Sequence, residues 1–155
     1  MSEDTAAKGR AAKGRAAKDR EAKDLADKLG IAPGCRLAVL NPPWHFVQDL
    51  MSVREDLRGM QTQVEAGDAQ DLDVIIYFSR GRKGLEENMP TLRSRLAPAG
   101  TVWIGWRKKG RSLKEDPDEA FVRATGLKNG LVDVKVLSID DEWAALKFVR
   151  PKGGR

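Results

Sequence analysis

The chain has almost none of the side chains from which metal and redox centres are built: one cysteine, Cys35, and one histidine, His45, in 155 residues. A lone cysteine excludes an internal disulfide. With a single imidazole beside it, a zinc site of thiolates and imidazoles is excluded too, and no metal is expected. A reducing cytoplasm is the expected compartment. No apolar stretch approaches the roughly 18 residues of a membrane-spanning helix. The opening Met1-Ser-Glu-Asp-Thr5 is acidic and lacks the apolar core of a secretory signal. Also missing is a Gly-x-Gly loop with a ribose-binding acid downstream, the backbone cradle of dinucleotide sites. No cofactor is expected on that ground.

Charge, by contrast, is plentiful: 28 Lys and Arg against 23 Asp and Glu, a net of +5. Residues 1–29 hold eight cations and six anions, and the stretch Lys8 to Lys18 carries five cations with no anion between them. Those five, Lys8, Arg10, Lys13, Arg15 and Lys18, sit in a near-repeat of Ala-Ala-Lys-Gly-Arg. Five residues turn a helix by about 500°, so successive cations rotate away from one another and no single charged face forms. Nothing larger than Ala is apolar there before Leu25. Residues 1–16 are expected to be disordered, with helix from about Ala17 to Leu29 on a stripe of Ala22, Leu25, Ala26 and Leu29. The division expected is a basic extension over 1–29 and an α/β domain over 30–155.

Three apolar runs within the domain each break into a loop and then a helix-like stretch. Arg36-Leu-Ala-Val-Leu40 enters Asn41-Pro42-Pro43-Trp44-His45, and Asp73-Val-Ile-Ile-Tyr-Phe78 enters Ser79-Arg80-Gly81-Arg82-Lys83-Gly84. Thr101-Val-Trp-Ile-Gly-Trp106 enters Arg107-Lys108-Lys109-Gly110-Arg111. Strands joined by helical crossovers lie parallel and end at one edge of the sheet, where open α/β folds bind ligands. Helices are expected over 44–57 and 85–96, with Pro90 either kinking the second or splitting off its first turn. A third is signposted by Asp116 as N-cap, Pro117 in the first turn, Glu119 and a closing Gly126. Residues 58–72 are expected as a loop or weak hairpin. Val132, Val134 and Val136 alternate with Asp133 and Lys135, the period of a half-buried strand. Asp140-Asp141 should turn the chain into a last antiparallel strand at Trp143–Val149. The expected fold is a single three-layer Rossmann-like α/β domain, its sheet mainly parallel and ending in that hairpin.

Val122-Arg-Ala-Thr-Gly-Leu-Lys-Asn-Gly-Leu-Val-Asp-Val-Lys-Val136, Ile139-Asp-Asp-Glu-Trp-Ala-Ala-Leu-Lys-Phe-Val149 and Leu96-Ala-Pro-Ala-Gly-Thr-Val-Trp-Ile-Gly-Trp106 resemble a bacterial family of uncharacterised domains. The resemblance covers most of residues 25–150. It departs where the family usually has Trp-Pro-Lys-Lys, since this chain reads Trp106-Arg-Lys-Lys109 and is more basic. At fold level, the half from Asp73 onward resembles the C-terminal half of Rossmann-type methyltransferases. Asn41-Pro42-Pro43-Trp44 looks like the Asn/Asp-Pro-Pro-aromatic motif of amino methyltransferases, which implies a ligand rim at Asn41, Trp44 and His45. The plainer alternative is a strand end whose prolines start a helix.

Two of the loops are cationic. Arg80, Arg82 and Lys83 stand at a helix start, where free N–H groups favour anions. Trp106, Arg107, Lys108, Lys109 and Arg111 interleave an aromatic with cations, a pattern suited to nucleic acid. The expectation that follows is a non-catalytic cytoplasmic module. It would bind an anionic partner, nucleic acid or an acidic protein, through the tail and the cationic edge. The alternatives are a degenerate methyltransferase-like enzyme using Asn41 and Trp44, and a regulatory adaptor. No catalytic residue is assigned.

Overall fold

The structure, a computed structural model, describes residues 20–32, 34–53 and 71–151. The expected disorder of residues 1–16 and the cationic tail Lys8–Lys18 lie outside them, as does nearly all of the expected loop at 58–72. Helical turns over residues 20–29 (α1) lead to β1 (Leu37–Leu40), α2 (Trp44–Val53), β2 (Leu72–Phe78), α3 (Arg82–Arg95) and β3 (Leu96–Arg107). Then come α4 (Glu119–Lys128), β4 (Val132–Ser138) and β5 (Trp143–Val149). The expected sequence of elements is the observed one.

The five strands form one sheet in the order β1-β2-β3-β5-β4. β1, β2 and β3 run parallel, while β5 pairs antiparallel with both β3 and β4. Parallel strands covered on both faces read as continuous apolar runs, and β2 is buried at every position but Asp73. One face packs Leu37, Val39, Ile76, Phe78, Trp103 and Trp143 against Ala26 and Leu29 of α1 and Phe46 and Leu50 of α2. The other packs Ile75, Tyr77, Val102 and Ile104 against Leu85, Met89 and Leu92 of α3 and Val122 of α4. The Trp103 indole N–H donates to the Leu29 carbonyl at 3.0 Å, tying the end of α1 to the central strand.

Four local expectations are corrected. Pro90 does not split α3, which runs unbroken from Arg82. Its ring is exposed, so the carbonyl it leaves unpaired can bond water. The N-cap of α4 is Asp118, whose carboxylate accepts from the Phe121 N–H at 2.9 Å. Gly126 lies inside that helix. The left-handed closing position is Gly130, at φ 80°, with Leu131 N–H donating to the Gly126 carbonyl and Gly130 N–H to that of Leu127. In β4, Val132, Val134 and Val136 are exposed, because this is an edge strand whose pairing slips between Asp133 and Lys135.

Candidate functional site

The carboxyl ends of β1, β2 and β3 share one edge, and the β4–β5 turn joins them because Arg107 at the end of β3 pairs with Trp143 at the start of β5. Asn41 leaves β1 with φ 55°, a left-handed backbone that asparagine adopts more readily than most residues. Pro42 and Pro43 then carry the chain into α2. Among the described residues, the backbone N–H groups of Trp44 and His45 at the start of α2 have no partner. The first turn of that helix holds no carboxylate. The Trp44 ring is 72% exposed. The His45 imidazole reaches across to the β4–β5 turn, with Nε2 3.4 Å from Asp140 Oδ2. The other oxygen of Asp140 accepts from the N–H groups of Glu142 and Trp143 and so shapes the turn.

Among the described residues, most of the loop cations read from the sequence have a partner. Arg80 donates from Nε and Nη2 to the Asn41 carbonyl, at 3.3 and 3.1 Å, and lies over the Trp143 ring. Arg107 covers the same ring with its guanidinium 4.9 Å from the centroid, and donates from Nη1 to Asp116 at 3.0 Å. Lys108 donates to the Ser138 hydroxyl. Arg82 faces Glu115 and Lys83 faces Glu87, each at 3.9 Å. Lys109 and Arg111 are exposed. Trp106, expected to stack on bases, is only 7% exposed and belongs to the core on the α3–α4 side.

Two features of this edge had no signal in the sequence. The Trp143 ring, buried against Phe78 and held beneath two guanidiniums, has an indole N–H without a partner. Ser79, at the end of β2, is fully buried and its hydroxyl is also unpaired. Such atoms are uncommon in protein interiors, and both lie at or beside the edge where the fold would take a ligand.

No family model and no curated protein matches the sequence. Solved structures do match the fold. A TehB-like SAM-dependent methyltransferase from Corynebacterium glutamicum superposes with a TM-score of 0.53 at 15% identity, over 84% of this chain and 87% of that one. A SAM-dependent methyltransferase from Aquifex aeolicus gives 0.61 at 11%, over 82% and 88%. Magnesium protoporphyrin IX methyltransferase from Synechocystis gives 0.58 at 12%, over 89% and 80%. The chain therefore has the Rossmann-like fold of these enzymes. The expectation of a non-catalytic nucleic-acid-binding module is overturned by these neighbours, which favour the enzyme alternative, and the weighing against an enzyme is corrected with it.

Proposed function

We propose that this chain is a methyltransferase-like enzyme, degenerate in its cofactor loop, with its chemistry at Asn41 and Trp44. The observation that carries this proposal is the sheet order β1-β2-β3-β5-β4 with an antiparallel β5, matched across more than four-fifths of the chain by SAM-dependent methyltransferases. A fold alone is a weak warrant for a reaction, so the side chains at the edge must supply the rest.

S-adenosylmethionine, when bound, supplies an electrophilic methyl group on a sulfonium. The unpartnered N–H groups of Trp44 and His45 fit its carboxylate, since a helix start without acidic residues favours an anion. The exposed Trp44 face fits a flat ring or a cation. Pro42 and Pro43 offer no N–H where a glycine loop would offer several, so binding weaker than in a glycine-loop enzyme is expected. The Asn41 side-chain amide can accept a hydrogen bond from an acceptor N–H and turn the nitrogen lone pair toward the methyl carbon. If the His45 Nε2–H donates to Asp140, Nδ1 is left free to take a proton.

Calorimetry with S-adenosylmethionine up to millimolar concentration tests this directly. Saturable binding is expected, and Trp44→Ala should weaken it about tenfold, the scale of one lost base stack. Asn41→Ala should leave that affinity nearly unchanged while removing turnover of any acceptor. Absence of heat at millimolar cofactor would overturn the proposal.

A further inference from the structure

A cleft of about 510 Å³ opens between α1, the first turns of α2 and the β4–β5 turn. That volume lies within the range of small-molecule sites. Its floor is apolar, made by Leu25 and Leu29 of α1, Phe46 and Leu50 of α2, and Ile139 of the turn. Among the described residues its charged lining is Glu21 and Asp140, with Asp49 and His45, and includes neither Lys nor Arg. In a chain of net charge +5, a concave apolar surface whose described rim carries carboxylates and neither Lys nor Arg is a local reversal of sign. Low-dielectric walls focus such a field and raise the local concentration of cations. The cleft also adjoins the edge described above. His45 lines it and directly follows Asn41-Pro42-Pro43-Trp44, and Asp140 belongs to the turn beside Trp143.

Resting on the methyl-transfer reading, we infer that this cleft selects the acceptor: a small molecule with an apolar, ring-sized body and a cationic amino group. The body lies on Phe46, Leu25 and Leu50. The ammonium faces Glu21, which is exposed and has no partner among the described residues, and the oxygen of Asp140 that His45 also approaches. An anionic acceptor of the same shape is disfavoured, because among the described lining residues it would meet Glu21 and Asp140 and neither Lys nor Arg.

The test uses the full chain, without cofactor, and three probes that share an indole: tryptamine, neutral tryptophol and anionic indole-3-acetate. Tryptamine is expected to bind at least about fivefold tighter than tryptophol, with indole-3-acetate weakest. The gap should narrow as salt rises, since the charges lie near the surface. Glu21→Lys, at an exposed helical position that circular dichroism can show to be folded, should erase the preference. Spermidine, cationic but without an apolar body, should bind more weakly than tryptamine. Equal affinity for the three indoles, no binding of any, an unchanged preference in Glu21→Lys, or spermidine binding as tightly as tryptamine would each overturn the inference. Tryptamine selectivity without S-adenosylmethionine binding would remove the methyl-transfer proposal and leave the cleft. Cofactor binding without tryptamine selectivity would do the reverse.

Discussion

Two buried residues show how single side chains constrain this fold. The Tyr77 phenol lies in the α3–α4 side of the core and accepts a hydrogen bond from Asn88 at 3.0 Å. Burial pushes its pKa above the ordinary value of 10.0; the Asn88 bond pulls the other way, and nearby Glu87 adds to the rise. A raised value in the folded state means that the neutral phenol is what the fold stabilises. That contribution is complete below pH 10 and is lost as pH climbs toward the folded value. Unfolding titrations should show stability dropping as pH rises above 10, with a shallower drop in Tyr77→Phe. That variant should also lose about 1 kcal/mol at neutral pH with its hydrogen bond. Gly126 is the second case. A methyl group there would strike the Phe148 ring, with Cδ1 at 2.7 Å and two other ring atoms closer. Phe148 is fully buried and cannot swing away. Alanine normally gains about 1 kcal/mol over glycine in a helix. Here Gly126→Ala should instead destabilise by about 1–3 kcal/mol through overpacking, lowering Tm by roughly 2–4 °C per kcal/mol.

At the scale of elements, α4 separates what pattern can and cannot tell. Its existence and apolar face follow from spacing, but its ends do not. Asp116 and Asp118 are both good caps, and Gly126 and Gly130 are both good stops, so the correct pair depends on what each touches in space. Asp118 caps the helix. Asp116 instead bonds the Leu113 N–H and the Arg107 guanidinium, with side chains only 4% and 14% exposed. The two carboxylates should therefore differ in mutational cost. Asp118→Ala should lose about 1 kcal/mol, the value of a cap. Asp116→Ala should lose about 3 kcal/mol or more by leaving a buried guanidinium unpaired. Equal losses in denaturant melts would contradict the assignment. β4 teaches the same lesson. Alternation of Val132, Val134 and Val136 marks a strand, yet it cannot say which face a helix covers or that the strand lies at an edge.

For the whole molecule, the parallel core was readable because each strand is a short apolar run closed by a loop and a helix. The order β1-β2-β3-β5-β4 follows from consecutive parallel neighbours and a terminal antiparallel hairpin. The site was readable only in part. Asn41, Trp44 and His45 do stand at the carboxyl edge. Lys83 meets Glu87 one helical turn on, but the other engaged cations nearby looked available because the groups that meet them are distant in sequence or belong to loops without a pattern. Arg80 finds a carbonyl 39 positions away, and His45 finds Asp140 at a separation of 95. Such non-local pairings leave no periodic trace. The uneven burial of the aromatics has one further consequence. Of the four tryptophans, Trp103, Trp106 and Trp143 are at most 7% exposed, whereas Trp44 is open to solvent. A collisional quencher such as iodide should therefore extinguish one indole's emission and spare three. That single accessible fluorophore sits beside Asn41, so the native chain carries its own unlabelled optical probe of whatever settles on the edge.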